Sequence, residues 1–175
     1  MKNYEIIFAD LDGTLINTIS GETFPKGIWD MKINFNVLDK IKEIKPKCLL
    51  IVTNQGGIEK GFVNERNFQC KMEYICRSIK EYTGIEVEYS YCTSNDKDNK
   101  YRKPNIGMID FLIREMIKRN TIKSGLETDK ILMIGDLILA IKEWWKQLWC
   151  VHEYRSHIRS NFRYAQCIKC GRMKK

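Results

Sequence analysis

The chain has 175 residues, a formal net charge of +8 and an isoelectric point near 9.1. This length suffices for one domain with a buried core, and no apolar run approaches the roughly 18 residues of a membrane-spanning helix. The first residues lack the apolar core of a signal peptide, so we expect a cytoplasmic protein, or a nuclear one in a eukaryotic cell, with no membrane partner. Seven cysteines, an odd count, argue against a disulfide framework. The excess positive charge favours a polyanionic partner such as nucleic acid.

Apolar residues alternate between strand-like and helix-like spacing up to residue 134. In chain order the pattern predicts a strand over 4–9, a helix with apolar positions from 37 to 44, a strand over 47–53, a helix from about 64 to 82, a strand over 87–92, a helix with apolar positions from 106 to 117, and a strand over 131–134. The run Cys48-Leu49-Leu50-Ile51-Val52 is typical of a parallel strand buried on both faces. This alternation predicts the α/β class, an open parallel sheet with helices on both faces.

Composition changes once, near Trp149. Beyond it the chain is polar, aromatic and basic and has no aliphatic periodicity. We therefore predict a main domain over residues 1–149 and a small basic tail module over 150–175.

Polar residues stand at the ends of the predicted strands. Asp10 and Asp12 follow the first strand, Thr53 ends the second, Lys103 follows the third and Asp136 follows the fourth. Residues i and i+2 of a strand point to the same side, and ligands of open α/β sheets bind at the carboxyl ends of the strands. The sequence therefore predicts one site at this rim.

These residue types suit phosphoryl transfer. One carboxylate can attack phosphorus, and a second can protonate the leaving oxygen and later activate water. The Thr53 hydroxyl and the Lys103 ammonium can bind phosphoryl oxygens, and Asp10 with Asp136 offers hard oxygen ligands for Mg²⁺. A divalent cation would also offset the repulsion between the paired acids.

The four motifs resemble those of the haloacid dehalogenase superfamily of phosphatases. They are Asp10-Leu11-Asp12-Gly13-Thr14-Leu15, Thr53-Asn54-Gln55, Lys103 and Gly135-Asp136, and they match in order over residues 4 to about 140. The resemblance implies that Asp10 is the nucleophile, forming a phospho-aspartyl intermediate, and a metal ligand. It implies that Asp12 is the general acid/base and a ligand through its main-chain carbonyl, and that Asp136 completes the magnesium site.

Further segments resemble the 3′-phosphatase domain of polynucleotide kinase/phosphatases. They are Thr18-Ile19-Ser20-Gly21-Glu22-Thr23-Phe24-Pro25 with Trp29 and Ile33, Thr53-Asn54-Gln55-Gly56-Gly57-Ile58 with Gly61, and Tyr101-Arg102-Lys103-Pro104 with Gly107-Met108. This resemblance implies a Mg²⁺-dependent enzyme that removes phosphate from DNA 3′ ends. Thr53, Asn54 and Lys103 are then candidate substrate-binding residues, and Arg102 either contacts a DNA phosphate or caps the surface.

Three features qualify the resemblance. The chain has no Gly-x-x-x-x-Gly-Lys-[Ser/Thr] loop, so we expect no phosphorylation of 5′ ends. Many relatives carry a second acid shortly after the last motif, whereas the nearest one here is Glu143, with Asp110 as another candidate carboxylate. The spacing between motifs leaves no room for a large cap domain, and an uncovered crevice admits the end of a polymer.

The tail carries a second candidate metal site. Cys167-Ile168-Lys169-Cys170-Gly171 resembles a zinc knuckle, and either Cys150 with His152 or His152 with His157 could supply the second pair of ligands. Zn²⁺ bound by Cys150, His152, Cys167 and Cys170 is one interpretation, and a flexible basic tail with free thiols is the other.

Two other functions remain open on the sequence. One is a small-molecule phosphatase of the histidinol-phosphate or heptose-bisphosphate type, although residues 95–100 lack the Cys and His ligands that zinc-binding members of that type carry. The other is a non-catalytic protein that binds nucleic-acid ends.

Overall fold

The computed structural model describes residues 4–22, 25, 28–125, 127–135, 154–159 and 162–167. The chain forms two compact units, Met1–Asp136 and Leu137–Lys175. The boundary predicted from composition, at residue 149, lies outside the described residues. No helix among the described residues is long and apolar enough to cross a membrane.

The elements follow the predicted order, with short additions. The strands are β1 (Ile6–Ala9), β2 (Ile16–Thr18), β3 (Met31–Ile33), β4 (Cys48–Asn54), β5 (Glu86–Cys92), β6 (Ile131–Ile134), β7 (Tyr154–Arg159) and β8 (Phe162–Cys167). The helices are α1 (Phe35–Ile44), α2 (Gly56–Glu59), α3 (Glu65–Thr83) and α4 (Gly107–Lys118), with 3₁₀ turns at Ile28–Asp30 and Thr128–Lys130.

The central sheet has the order β5-β4-β1-β6, and all of its strands are parallel. Ala9, the last residue of β1, pairs with Ile51 of β4 and with Ile134 of β6. The Asp10 amide then donates to the Ile134 carbonyl at 3.1 Å. This register places the end of β1 in the middle of the sheet, between the ends of two other strands, where open sheets bind ligands.

Helices cover both faces of this sheet, which confirms the predicted fold class. Side chains alternate along a strand, and Ile7 and Ile51 point into one buried cluster with α1 and α3. Phe8 and Leu50 are equally buried but point to the opposite face. Since α4 packs on β4 and β5 and buries its own apolar residues, it covers that second face.

Helix α3 has the start and stop signals that the sequence predicts. The Asn64 side chain caps it by accepting a hydrogen bond from the Asn67 amide at 3.1 Å. Gly84 ends it in the left-handed conformation, at φ 73°, where a side chain would be strained.

A hairpin of β2 and β3, which the sequence analysis missed, follows the two acids of the first motif. Its connection is fastened by Asp30, whose carboxylate accepts from the Ser20 amide at 2.7 Å and from the Ser20 hydroxyl at 2.8 Å. The three-residue strands are too short to show a period. Between β1 and α1 the described residues form nothing larger than this hairpin. The sequence predicts no large cap domain.

The second unit contains an antiparallel hairpin of β7 and β8, with Tyr154 opposite Cys167. The sequence analysis predicted no strand there. Cys167 ends β8, whereas Cys150, His152 and Cys170 lie outside the described residues. The zinc site therefore stays a prediction.

Candidate active site

The predicted site residues meet at the carboxyl edge of the main sheet. Asp10 follows β1, Thr53 lies near the end of β4, Lys103 lies in the loop after β5, and Gly135 follows β6. Asp136, the predicted third metal ligand, lies outside the described residues. The structure thus brings three of the four motifs and the glycine of the last one to one rim.

Lys103 forms a buried ion pair with the predicted nucleophile. Its Nζ lies 2.6 Å from Asp10 Oδ1, and the two side chains are 6% and 21% exposed. The same ammonium donates to the Val52 carbonyl at 3.0 Å. An ammonium has three N–H donors, and the described residues use two of them, so the third is available for an oxygen of a bound phosphate.

Asn54 holds the main chain of Lys103. Its Oδ1 accepts from the Lys103 amide at 2.9 Å, and its Nδ2 donates to the Lys103 carbonyl at 3.1 Å. The sequence analysis proposed Asn54 as a substrate-binding residue. In the structure both polar atoms of its side chain contact Lys103 instead, which makes it a positioning residue for that ammonium.

We expect Asn54→Ala to lower kcat/KM about tenfold, since displacing a catalytic charge by about 1 Å can cost up to 10²-fold. The check is steady-state hydrolysis of a phosphate monoester, and the matched control is Asn105→Ala. The Asn105 Nδ2 donates to the carbonyls of Lys97 and Asn99 in the same loop. Equal losses in the two variants would mean that Asn54 merely stabilises the loop.

Gln55 links the second acid to Thr53. Its Nε2 donates to Asp12 Oδ2 and to Thr53 Oγ1, each at 2.9 Å. Because the Thr53 hydroxyl accepts this bond, its own proton is free to be donated to a phosphoryl oxygen. Gln55 belongs to the predicted motif, but no role was predicted for it. Hydrogen bonds between side chains at the ends of neighbouring strands cannot be read from the spacing of residues in the sequence.

Burial and the neighbouring side chains act on the pKa of Asp12 in opposite directions. Burial raises the pKa of Asp12 above its usual range, while the Lys71 ammonium and the Gln55 amide act in the opposite direction. A raised pKa suits a group that must deliver a proton. Lys71 lies on α3, far from the motifs in sequence, and was not identified from the sequence. Burial lowers the pKa of Lys71, and the charge of Asp12 raises it.

Two other candidate residues make structural contacts. The Arg102 guanidinium donates to the Ser94 carbonyl at 2.7 Å, which is a contact that fastens the loop after β5. Asp110, considered as a substitute metal ligand, pairs with Arg114 at 3.0 Å on the exposed side of α4.

The described part of the site fits a hard divalent cation. Asp10 offers a carboxylate, and no hydrogen bond from the described residues reaches the main-chain carbonyl of Asp12. Gly135 packs so closely on Asp10 that a Cβ at 135 would lie 2.8 Å from the Asp10 Cβ, which brings the chain leading to Asp136 beside the first acid. Within the described residues no three His, Cys, Asp or Glu side chains converge as a metal site.

A small open depression adjoins Asp12. Its volume is about 130 Å³, and Asp12, Asn17, Thr18 and Glu22 line it together with the start of the β2 strand. The depression lies on the side of Asp12 that faces the hairpin.

Solved structures define the class of this fold. A putative HAD-like phosphatase from Mesorhizobium loti superposes with a TM-score of 0.58 and 21% identity, covering 93% of this chain and 79% of that chain. D,D-heptose 1,7-bisphosphate phosphatase from B. bronchiseptica, solved with magnesium and phosphate, gives a TM-score of 0.50 and 14% identity, covering 82% and 99%. The chain therefore shares the fold of these two phosphatases.

Sequence comparison identifies the family within that class. The family described as polynucleotide kinase 3 phosphatase matches residues 5–170, and the chain belongs to it. Both resemblances found in the sequence are thereby confirmed.

Curated relatives differ in the activity named for them. An uncharacterized 20.8 kDa protein of Autographa californica nuclear polyhedrosis virus is 31% identical over 77% of this chain and 67% of its own length. The D-glycero-beta-D-manno-heptose-1,7-bisphosphate 7-phosphatase of Haemophilus influenzae is 29% identical over 78% and 73%. The bifunctional polynucleotide phosphatase/kinase of Schizosaccharomyces pombe is 29% identical over 77% of this chain but 31% of its own length.

Proposed function

We propose that this phosphatase removes the 3′-phosphate from DNA ends, with Mg²⁺ as cofactor and with a phospho-aspartyl intermediate on Asp10. The observation that carries the proposal is the buried Lys103, whose main chain is held by Asn54 and whose ammonium lies 2.6 Å from Asp10. A desolvated cation beside a carboxylate nucleophile, with one donor to spare, is arranged to receive a phosphoryl dianion.

The proposed reaction has two chemical steps. An Asp10 oxygen attacks phosphorus and the bond to the 3′ oxygen breaks, while Asp12 gives its proton to that leaving oxygen. Asp12 then takes a proton from water, which attacks the acyl phosphate and releases inorganic phosphate and free Asp10. Lys103 and Thr53 hold the phosphoryl oxygens in both steps, and Gln55 keeps Asp12 and Thr53 in place.

Asp10, the Asp12 carbonyl and Asp136 would hold the Mg²⁺ ion. When bound, the cation supplies positive charge that reduces the repulsion between the nucleophile and the phosphate. This assignment rests on the hard oxygen donors described above, and it gives Asp10 two roles, as ligand and as nucleophile.

A polymeric substrate is favoured by charge and by access. The chain carries a net charge of +8, which attracts a polyanion, and the described part of residues 4–135 contains no cap domain over the rim. If Asp12 protonates the leaving oxygen, the depression beside it would take the terminal sugar. The family match and the S. pombe relative support this substrate class.

A heptose-bisphosphate phosphatase is the second candidate. Three such enzymes are among the curated relatives, at 29–30% identity. The same catalytic residues would serve either substrate, so the two candidates differ only in what surrounds the phosphate.

The test compares kcat/KM for a 3′-phosphorylated oligonucleotide, its 5′-phosphorylated isomer and D-glycero-D-manno-heptose 1,7-bisphosphate, each with Mg²⁺. We expect the 3′-phosphorylated oligonucleotide to be preferred, and chelation with EDTA to abolish turnover until Mg²⁺ is restored. Faster turnover of the heptose would favour the second candidate. Undiminished turnover after chelation would contradict the metal assignment.

A further inference from the structure

Phe62 is an aromatic side chain left in solvent close to the active site. It is 81% exposed, and it lies in the short turn between α2 and α3. A single exposed apolar residue needs no explanation, but the backbone that carries this one is unusually well fixed.

Backbone hydrogen bonds hold the turn that presents Phe62. Its amide donates to the Gly57 carbonyl at 2.9 Å, and the next amide, that of Val63, donates to the same oxygen at 3.2 Å. Gly61, just before, adopts φ 73°, which glycine tolerates without strain. The ring is therefore presented to solvent by a backbone that is already ordered.

The turn lies within reach of the catalytic groups. Gly57 is two residues beyond Gln55, so the Phe62 amide lies within about 13 Å of the Gln55 Cα. The Gln55 side chain in turn contacts Asp12 and Thr53. A strand whose terminal phosphate sits at Lys103 can therefore reach this turn within its last few nucleotides.

The turn carries cations beside its aromatic side chain. Among the described residues, Lys60 and Arg66 take part in no ion pair. Two carboxylates lie beside them and are hydrogen-bonded to protein donors: Glu59 accepts from the amide and the side chain of Asn95, each at 2.7 Å, and Glu65 accepts from the Tyr91 hydroxyl at 2.8 Å. The segment thus offers two cations and one aromatic face, the combination that binds single-stranded nucleic acid.

We propose that Phe62 stacks on a base near the 3′ end of the substrate strand, while Lys60 and Arg66 contact its backbone phosphates. This inference rests on the proposed function, and it adds that the protein reads nucleotides beyond the phosphate that it removes. A sugar phosphate has no base on which the ring could stack.

The test measures Phe62→Ala, Phe62→Trp and the control Phe111→Ala on a single-stranded 3′-phosphorylated oligonucleotide and on p-nitrophenyl phosphate. Phe111 is 47% exposed and lies on α4, on the other face of the sheet. Loss of one stacked base corresponds to a roughly 5- to 150-fold loss of affinity. We expect the ratio of kcat/KM for the oligonucleotide to kcat/KM for the ester to fall about tenfold in Phe62→Ala, through KM. We expect Phe62→Trp to keep that ratio.

An unchanged ratio in Phe62→Ala, or an equal fall in Phe111→Ala, would overturn the stacking role while leaving the proposed function standing. Failure of the wild-type protein to cleave the oligonucleotide, together with normal turnover of the ester, would reject the proposed function itself and this inference with it.

Binding of a 2-aminopurine-labelled oligonucleotide to Asp10→Asn protein gives a readout without turnover. The fluorescence of the label should be quenched by the protein that retains Phe62 and not by the protein that also carries Phe62→Ala. Equal quenching by the two proteins would contradict stacking.

Discussion

Asp10→Asn is expected to abolish turnover of every phosphate monoester, lowering kcat by at least about 10⁴-fold. An amide oxygen can still accept the 2.8 Å hydrogen bond from the Leu11 amide, so the local backbone should persist. The amide is a far weaker nucleophile than a carboxylate, and it loses the ionic contact with Lys103. Release of inorganic phosphate from a 3′-phosphorylated oligonucleotide and from p-nitrophenyl phosphate measures the effect.

Asp110→Asn is the matched control for this variant. It removes a carboxylate that pairs with Arg114 on the exposed side of α4, and surface changes of this kind usually alter stability by less than about 0.5 kcal/mol. Wild-type activity is expected. An Asp10→Asn protein that folds and still turns over at more than about one per cent of the wild-type rate would show that another group attacks phosphorus.

Lys103→Met is expected to lower kcat/KM by about 10²- to 10³-fold for all esters, the cost of removing one preorganised donor to a developing negative charge. Methionine has nearly the same length and no charge. It leaves Asp10 without its ammonium and the Val52 carbonyl without its hydrogen bond, which should cost about 1–3 kcal/mol of unfolding free energy. Steady-state kinetics and chemical denaturation report the two effects.

Lys118→Met is the matched control for Lys103→Met, because it replaces a lysine that lies outside the active site. Lys118 is exposed and pairs with Glu115 one turn back on α4, so its replacement should change neither kinetics nor stability appreciably. If Lys103→Met kept the wild-type kcat/KM while its stability fell, Lys103 would be a structural lysine and the proposed phosphate site would be wrong.

The main sheet could be predicted from the sequence because its strands are continuous apolar runs. Cys48–Asn54 is buried along nearly its whole length, as such a run requires, and α3 carries both a capping Asn64 and a terminating Gly84. The β2–β3 hairpin was not predicted because Ile16–Thr18 and Met31–Ile33 have three residues each, too few to show a recognisable alternation. The β7 strand mixes charged and aromatic residues, a composition that we interpreted as a solvated tail.

The residues of the site could be predicted from the sequence, but the hydrogen bonds between them could not. Asp10, Thr53 and Lys103 could be identified because each stands at or after the end of a predicted strand, and the carboxyl ends of parallel strands lie at the same edge of the sheet. Two sets of hydrogen bonds depend on side-chain rotamers and on the path of the loop after β5. They are the bonds from Asn54 to the Lys103 main chain and the bond from Gln55 to Asp12. Sequence spacing carries no information on either, so Asn54, which was predicted to bind substrate, instead holds the main chain of Lys103.

The central claim is that the phosphoryl group passes through Asp10, and partitioning to an added alcohol tests it most directly. With methanol in the buffer, an acyl phosphate is shared between water and methanol after the leaving group has departed. The account predicts the same ratio of inorganic phosphate to methyl phosphate from a 3′-phosphorylated oligonucleotide and from p-nitrophenyl phosphate. A ratio that changes with the leaving group would mean that water attacks the substrate directly, and it would contradict the account.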